Sequence, residues 1–437
     1  MAVALVSAVA AQPAQAAAGF TVSGGKILEA DGTPFVMRGV NHAHTWYPDK
    51  LSSLADIKAL GANTVRVVLA SGDRWTKNEA SDVTNVINQC KANRLICVLE
   101  VHDTTGYGED SAATTLARAV DYWIGIKAAL TGQERYVILN IGNEPYGNTG
   151  AAAWVADTKS AITRLRAAGF EHSIMVDAPN WGQDWQFVMR DNAASVFATD
   201  PQKNVIFSIH MYGVFDTAAE ITDYLGRFVS AGLPIVVGEF GHNHSDGNPD
   251  EDTIMATAQA QGIGYLGWSW SGNGGGVEYL DLVTGFNAAA LTSWGQRLFN
   301  GANGIRATAR EATIYGGSTP PPSPTTPPPS TTPPPTGGKQ CTATYAVTGS
   351  WGGGFQGAVT VRAGSAAISS WTVTWTWPTG QRITNSWNAA VTAAGDAVTA
   401  RNMPYNGTLA AGASTAWGFT ASFSATNTAP TASCAAA

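Results

Sequence analysis

Before residue 307, short apolar runs alternate with longer amphipathic stretches. The strand-length apolar runs cover residues 35–39, 64–69, 96–101, 137–141, 174–177, 205–209, 235–237 and 264–268. Helix-length stretches with apolar residues on one face fall between them, for example at 51–60, 81–92, 114–130, 151–168, 218–231 and 250–261. Eight strand-then-helix units predict an α/β fold of the (β/α)8 TIM barrel type. The alternative is a doubly wound open sheet, but no Gly-rich dinucleotide-binding turn follows the first strand.

After residue 338 the pattern changes to strict alternation. The segments 358–362, 371–377 and 416–423 alternate apolar and polar residues, and the region has almost no charge and almost no helical periodicity. This pattern predicts a small all-β domain, an antiparallel sandwich.

Composition separates the two regions and marks the domain boundaries. Pro, Thr and Ser replace nearly everything else between residues 318 and 336, which predicts an extended tether too polar to fold. We therefore expect a signal peptide at 1–17, a catalytic barrel at 18–306, a tail and linker at 307–338 and the sandwich at 339–437.

Two glutamates stand at the ends of apolar runs. Glu144 closes the run that starts at Tyr136, and Glu239 closes the run that starts at Pro234. A glutamate at a strand end is usually a solvated loop residue, but both runs are too apolar for surface strands. Parallel barrel strands deliver side chains to one face, and glycoside cleavage needs two carboxyl groups flanking one bond. We therefore predict an acid and a base on one barrel.

Further polar and aromatic side chains follow the predicted strands. They are His42, His44 and Trp46 after the first strand, Arg66 in the second, His102 and Asp103 after the third, Asn143 after the fourth, His210 and Tyr212 after the sixth, and Trp268 after the eighth. Each one alone has a structural explanation, but together they predict one polar pocket.

The expected environment assigns a role to each glutamate. Arg66, His210 or Tyr212 would keep Glu239 ionised as the nucleophile, and Glu144 would hold the proton as the acid. Trp268 would form an aromatic floor for the reacting sugar. A carboxyl separation of about 5 to 5.5 Å indicates retention of configuration and about 6.5 to 9.5 Å inversion, and both outcomes stay open at this point.

Net charge and tryptophan content indicate which classes of binding partner to expect. The net charge is −7 with a pI near 5.5, so nothing supplies the basic stripe that nucleic acids or anionic membranes require. The 15 tryptophans suit stacking on the C–H faces of sugar rings. We expect a monomer with a carbohydrate partner, without nucleic-acid or membrane binding.

The N-terminus and the cysteines indicate export. Residues 1–18 are rich in Ala and Val and end in Ala14-Gln15-Ala16, a signal-peptidase type of site. No Lys or Arg precedes the apolar run, which a truncated or misassigned start would explain. Four cysteines in a secreted, extracellular chain predict two disulfides. Three pairings are possible, and the positions favour Cys90–Cys97 and Cys341–Cys434.

An acidic cluster follows Glu239. Asp246, Asp250 and Asp252 lie there with Asn248 and Glu251. Their oxygens could bind a structural calcium ion. The favoured interpretation is a solvated loop and a helix N-terminus, because the EF-hand spacing is absent. No cofactor is required.

The strand-end motifs resemble those of glycoside hydrolase family 5. The matching segments are Thr64-Val-Arg66-Val-Val, Val101-His102-Asp103, Asn140-Ile-Gly-Asn143-Glu144-Pro145, Ile209-His210-Met-Tyr212, Gly238-Glu239-Phe240 and Gly267-Trp268-Ser-Trp270. Residues 38–47 and 62–66 are most similar to the bacterial β-mannanases of this family. The resemblance covers about residues 18–306.

This resemblance implies a retaining endo-hydrolase of β-1,4-mannan, including glucomannan and galactomannan. Glu144 matches the acid/base and Glu239 the nucleophile. The supporting matches are Arg66, His102, Asn143, His210, Tyr212 and Trp268. The alternatives are a β-1,4-glucanase of the same family and, more remotely, a non-catalytic protein that binds cell walls.

The C-terminal region resembles a family 2 carbohydrate-binding module. Trp351, Trp387 and Tyr405 lie in the motifs Gly349-Ser-Trp351-Gly, Thr384-Asn-Ser-Trp387-Asn and Asn402-Met-Pro-Tyr405-Asn-Gly. These positions match the three binding aromatics of the family, with Tyr405 where many members have Trp. Binding to cellulose or another insoluble polysaccharide is implied. Trp371, Trp375 and Trp377 are spaced by two or four and are expected in the core instead.

Overall fold

We describe the protein from a computed structural model. The structure describes residues 19–317, 339–351, 353–378, 380–403, 406–423 and 427–437. These residues form two compact units, one before and one after the segment 318–338. The predicted signal peptide and the Pro-rich tether lie outside the described residues, so both stay predictions, as do the domain boundaries.

The first unit is a closed barrel of eight parallel strands, which confirms the predicted fold. A short antiparallel pair, β1 (Thr21–Ser23) and β2 (Lys26–Leu28), precedes it. The barrel strands are β3 (Arg38–His42), β4 (Thr64–Leu69), β5 (Ile96–Val101), β6 (Val137–Asn140), β7 (Ile174–Asp177), β8 (Val205–Met211), β9 (Ile235–Phe240) and β10 (Gly264–Gly267). Pairing of β10 with β3 closes the barrel.

Ten helices occur in the described part of this unit. They are α1 (Ser53–Ala59), α2 (Ala80–Ala92), α3 (Leu116–Gly125), α4 (Lys127–Leu130), α5 (Trp154–Ala167), α6 (Val188–Thr199), α7 (Ala218–Ser230), α8 (Glu251–Gln261), α9 (Ser293–Asn300) and α10 (Ile305–Thr308). Their apolar faces cover the outside of the barrel. None of the helices described here combines the length and apolarity needed to cross a membrane.

Several element boundaries differ from the sequence prediction, and three of these differences have an identifiable origin. The helix predicted over 114–130 divides after Gly125, a weak helix former, because Ile126 leaves helical geometry with φ −104° and ψ 11°. The helix predicted over 151–168 opens with a 3₁₀ turn before α5. The first barrel strand starts at Arg38 rather than residue 35, because Phe35 and Met37 fill an apolar cluster with residues of the barrel interior.

The second unit contains two four-stranded antiparallel sheets, which confirms the predicted all-β domain. Its strands are β11 (Cys341–Trp351), β12 (Gly354–Ala363), β13 (Trp371–Thr376), β14 (Arg382–Trp387), β15 (Ala389–Ala394), β16 (Ala397–Asn402), β17 (Ser414–Ser422) and β18 (Ser433–Ala436). The sheet orders are β11-β12-β17-β14 and β15-β16-β13-β18. Trp371, Trp375 and Trp377 are buried in the core that both sheets share, as their spacing predicts.

Both units carry one disulfide each. Cys90 of α2 is bonded to Cys97 of β5, and Cys341 of β11 is bonded to Cys434 of β18. The second bond joins the first strand of one sheet to the last strand of the other. These are the pairs that the sequence positions favour.

Candidate active site

The barrel interior changes from apolar to polar along its strands. On four neighbouring strands, a residue of the apolar interior cluster is followed two positions later by a buried polar residue. The pairs are Val98 and Glu100, Ile138 and Asn140, Met175 and Asp177, and Ile206 and Ser208. Because side chains two apart on a strand share a face, the polar residues form a layer at the carboxyl ends of the strands. The candidate site lies there.

Glu144 and Glu239 face each other in this layer. One carboxylate oxygen of each and a ring nitrogen of His210 all lie within 4.8 Å of one another. Nδ1 of His210 is 2.7 Å from Oε1 of Glu144 and 3.5 Å from Oε2 of Glu239. Glu144 has a φ of 41°, an uncommon conformation that costs about 1–3 kcal/mol where it is strained. The surrounding contacts therefore hold this carboxyl in place.

Glu239 is buried and hydrogen-bonded on both oxygens. Nη1 of Arg66 donates to Oε1 at 2.8 Å, and the hydroxyl of Tyr212 donates to Oε2 at 3.0 Å. Burial raises the pKa of the Glu239 carboxyl, while the positive charges of His210 and Arg66 act against that rise. Burial and the charges of Glu239 and Glu144 raise the pKa of Tyr212 well above its usual value. Tyr212 therefore keeps its proton and remains a donor.

Arg66 organises the polar layer. All five of its N–H groups have acceptors, the side-chain oxygens of Asn41, Asn140, Asn143, Asp177 and Glu239. Burial would lower the pKa of Arg66, but the charges of Glu100, Asp177 and Glu239 raise it above its usual value. The guanidinium is thus a fixed positive charge whose position is set by four strands and the segment after β6.

Asp177 is a site residue that the sequence reasoning missed. Its carboxylate is 2.9 Å from Nη2 of Arg66 and 3.3 Å from Nε2 of His210, and it accepts a hydrogen bond from Asn140. Burial lowers the pKa of His210, but Glu239 and Asp177 outweigh it and raise that pKa to about 10. Asp177 therefore helps to keep His210 positively charged beside Glu144.

Glu100 has the same relation to His102, and it too was missed. Oε1 of Glu100 is 2.8 Å from Nδ1 of His102. Burial lowers the pKa of His102, and the charge of Glu100 more than reverses this, so the pKa is raised. Glu100 and Asp177 each lie two positions after an apolar residue of the barrel interior, Val98 and Met175. This alternation is the sequence signal that could have identified them.

An aromatic wall flanks the pocket. It consists of Trp46, Trp75, His102 and Trp268. The rings of His102 and Trp268 stack with centroids 5.6 Å apart, and Trp46 meets His102 and Trp75 edge-on at 5.2 and 5.1 Å. Trp46 and Trp268 were predicted from their positions after β3 and β10. Trp75 was not predicted, because it follows β4 by several residues.

One predicted substrate-binding residue does not reach the pocket. The side chain of His44 has no exposed surface, and its Nε2 is 3.0 Å from Asp82 of α2. The prediction of a sugar contact for His44 is wrong in this structure, since the ring is fully buried and pairs with Asp82. His42 likewise bonds the carbonyl of Lys50. Asp103 accepts backbone N–H groups of Ser71 and Arg74, so it shapes the loop after β4.

The weak calcium candidate gains no support. Asp246 bonds the backbone N–H of Gly213, Asp250 caps α8 by accepting from Thr253, and Asp252 pairs with Arg297. In the part of the chain described here, these carboxylates bring no three ligand atoms together. The loop and helix-cap interpretation accounts for their contacts.

In the second unit, Trp387 is the predicted binding aromatic that the structure describes. It is 38% exposed, and its ring lies across Gly418 of the neighbouring strand β17. Any side chain at Gly418 would overlap the indole. Tyr405 and the side chain of Trp351 lie outside the described residues, so the three-aromatic platform stays a prediction.

Sequence comparison defines the class of protein. Residues 28–274 match the family described as cellulase (glycosyl hydrolase family 5), and residues 341–436 match the cellulose binding domain family. The protein is a glycoside hydrolase with a carbohydrate-binding module. The chain belongs to glycosyl hydrolase family 5.

Its relatives include curated enzymes and solved structures. A mannan endo-1,4-β-mannosidase of Streptomyces lividans is 69% identical over 303 residues, 69% of this chain and 79% of that protein. One of Cellvibrio japonicus is 57% identical over 305 residues, 69% of this chain and 71% of its own length. The mannotriose complex of Thermomonospora fusca β-mannanase is 62% identical with a TM-score of 0.67, covering 68% of this chain and 99% of that one.

Proposed function

We propose that this protein is a secreted endo-β-1,4-mannanase that cleaves mannan, glucomannan or galactomannan by a retaining double displacement. The mechanism rests on one observation, the facing oxygens of Glu144 and Glu239 within 4.8 Å. Retaining enzymes place the two carboxyl groups about 5 to 5.5 Å apart, whereas inverting enzymes leave room for a water between them. The substrate assignment rests on the identity to the Streptomyces lividans mannan endo-1,4-β-mannosidase.

In the first step, Glu239 attacks the anomeric carbon and the glycosidic C–O bond breaks. Glu144 donates its proton to the departing oxygen, so the leaving sugar departs as an alcohol and a glycosyl ester of Glu239 remains. Arg66 and Tyr212 hold the attacking carboxylate in one orientation through their hydrogen bonds. This preorganisation lowers the cost of reaching the transition state.

In the second step, Glu144 acts as the base. It removes a proton from water, whose oxygen attacks the anomeric carbon and releases Glu239. The positive charge of His210, 2.7 Å away, stabilises the carboxylate of Glu144 between the two steps. Two displacements at one carbon leave its configuration unchanged.

The second unit would hold the enzyme on an insoluble polysaccharide. Exposed Trp387 supports stacking on a sugar chain, and the match to the cellulose binding domain family supports cellulose as the ligand. Such an enzyme acts outside the cell, as a monomer with no nucleic-acid or membrane partner.

Product analysis on β-1,4-linked polysaccharides tests the proposal. We expect oligosaccharides of several lengths from glucomannan and galactomannan, and a much lower rate on carboxymethylcellulose. The alternative is a β-1,4-glucanase, which the cellulase match of the barrel favours. A higher rate on carboxymethylcellulose than on mannan would support that alternative. Binding to both polymers without any product would instead indicate a non-catalytic protein.

A further inference from the structure

The loop between β7 and α6 presents large aromatic side chains to solvent. In residues 178–187, Trp185 is 47% exposed and Phe187 is 41% exposed, and Trp181 of the same loop is half-buried. Exposed tryptophan is uncommon, because a large ring gains much from burial. The two catalytic steps use none of these rings.

This loop is held in a costly backbone conformation. Asn180, Trp181, Asp184 and Phe187 all have φ between 47° and 60°, which is unfavourable for side chains other than Gly. Asp184 anchors the loop, since its buried carboxylate accepts two backbone N–H groups of α6 and the hydroxyl of Tyr224. Strained conformations of this kind persist only where the surroundings enforce them. The loop therefore fixes the positions of its aromatic rings.

The polar atom of each indole is already engaged. Nε1 of Trp185 donates to Asn148 at 2.6 Å, and Nε1 of Trp181 donates to Glu109 at 2.7 Å. Asn148 follows β6 and Glu109 follows β5, so neighbouring loops set the orientation of both rings. What Trp185 offers to solvent is therefore hydrocarbon surface, which suits the C–H face of a sugar ring.

The loop is joined to the segment that carries Glu144. The backbone N–H of Trp181 donates to the carbonyl of Tyr146, two residues beyond Glu144, at 3.1 Å. The N–H of His210 donates to the carbonyl of Gly182 at 2.8 Å. A Cβ at Gly182 would lie 2.6 Å from the His210 ring. The loop is thus continuous with the edge of the pocket at Glu144.

The position of the loop indicates which end of the substrate it meets. The wall of Trp46, Trp75, His102 and Trp268 follows β3, β4, β5 and β10, whereas this loop follows β7, on the other side of β6 and Glu144 in the barrel order. The general acid gives its proton to the oxygen of the leaving sugar, so that sugar lies on the acid's side.

We propose that Trp185, together with Trp181 of the same loop, is a stacking platform for the mannosyl units on the leaving-group side of the cleaved bond. This assignment rests on the proposed mannanase function and adds a binding position to it. The ligand class is a β-1,4-linked hexopyranose chain. Phe187 does not belong to the platform, because the guanidinium of Arg190 lies over its ring at 3.6 Å.

The test compares three variants of the full chain, Trp185→Ala, Trp185→Phe and Phe187→Ala, on mannohexaose. Products are mapped after labelling the reducing end with ¹⁸O, which identifies the bond that is cut. We expect Trp185→Ala to lower kcat/KM by about 3- to 10-fold. We also expect its cuts to move toward the reducing end, so that fewer units occupy the leaving-group side. Trp185→Phe should lie between Trp185→Ala and wild type.

Phe187→Ala is the matched control, since it removes a similarly exposed ring from the same loop. It should retain the wild-type rate and cleavage pattern. An unchanged pattern in Trp185→Ala, or the same shift in Phe187→Ala, would overturn the platform while leaving the mannanase proposal intact. Failure of the wild type to cleave mannohexaose would overturn both.

Discussion

The centres of the two units differ in the type of residue that they bury, charged in the barrel and aromatic in the second unit. The barrel centre buries Arg66, Asp177, His210 and Glu239 in one connected network. The core of the second unit is aromatic, with Trp375, Trp417 and Phe419 packed against one another. Among its described residues, Gln381 is the polar side chain that is buried, and it has a partner. Catalysis of glycoside cleavage requires charged side chains that are shielded from water. Adhesion to a polymer requires only a rigid domain that holds aromatic rings at its surface.

This difference has an energetic side. Burying an ion costs several kcal/mol, on the order of the whole stability of a domain, unless it is paired and hydrogen-bonded. The barrel meets this requirement because its strands end around the same space, and the seven strands from β3 to β9 each contribute a side chain to the network. Substitutions in the barrel should therefore lower hydrolytic activity without changing binding to cellulose. Substitutions in the second unit should have the reverse effect.

The largest effect is expected at Glu239. Replacing Glu239 by Ala removes the attacking group, so kcat on soluble galactomannan should fall by about 10⁴-fold or more. Binding of the variant to insoluble cellulose, measured as depletion of protein from solution, should not change, because the module is unaltered. Glu171→Gln, at an exposed position before β7, is the matched control and should keep full activity. Wild-type-like turnover of Glu239→Ala would refute the assignment of the nucleophile.

The two disulfides should stabilise their units by different amounts. Cys341 and Cys434 are 93 residues apart and Cys90 and Cys97 only 7. Loop-closure entropy then gives about 4.7 kcal/mol for the longer loop and about 2.5 kcal/mol for the shorter. Replacing both Cys341 and Cys434 by Ser should unfold the module at lower urea concentration and leave hydrolysis of soluble mannan unchanged. Replacing Cys90 and Cys97 by Ser should lower the unfolding free energy of the barrel by the smaller amount. Equal losses of unfolding free energy in the two double variants, each relative to wild type, would contradict the loop-length argument.

Asp177→Asn should weaken catalysis without removing a reacting group. Loss of a charged partner from a buried pair costs about 1.5–3 kcal/mol, or roughly 10- to 100-fold in kcat/KM. The pH profile gives the sharper readout. The pKa of His210, about 10, lies above its unfolded value. Its charge therefore stabilises the fold fully below that unfolded value, and the stabilisation is lost as the pH rises through about 10.

Without the charge of Asp177, His210 should lose its proton at a lower pH. The alkaline fall in kcat/KM should shift to lower pH in Asp177→Asn, and NMR titration of the His210 ring should show the same shift. Asp121→Asn, at an exposed position of α3, serves as the control. A lower rate with an unshifted profile would mean that Asp177 acts only through packing.

The smallest effect is expected at Trp387. Trp387→Ala removes an exposed ring from the module and should weaken binding to cellulose about tenfold, a typical loss for one aromatic contact. The rate on soluble galactomannan should not change. Val347, 41% exposed on β11, provides a matched control in Val347→Ala. Equal loss of binding in both variants would mean that no specific ring carries adhesion.

The sequence predicted the parts of the molecule that repeat. Eight buried strands in regular succession identified the barrel, and strict alternation identified the second unit. Boundaries were less accurate where an apolar residue serves another purpose. Phe35 and Met37 look like strand residues but fill the apolar interior cluster, and the helix expected over 114–130 divides at Ile126.

At the candidate site, the sequence identified Arg66 and the groups at or just beyond the predicted strand ends, and it missed two acidic groups inside the predicted strands. Glu144, Asn143, His210 and Tyr212 converge as expected. Asp177 and Glu100 were missed because both lie inside the predicted strand ranges 174–177 and 96–101 and were counted there as strand residues. His44 was misplaced because sequence position alone does not show that its ring turns toward Asp82. Which side chains face the site depends on contacts between strands that are distant in the sequence.

The central claim is that Glu144 and Glu239 cleave a β-mannosidic bond by double displacement. Proton NMR of the anomeric signals during hydrolysis of mannohexaose tests it most directly, because the first product forms before mutarotation. The separation of the two carboxylates predicts that the β-anomer of the new reducing end accumulates first and then equilibrates. Initial accumulation of the α-anomer would show inversion and contradict the account.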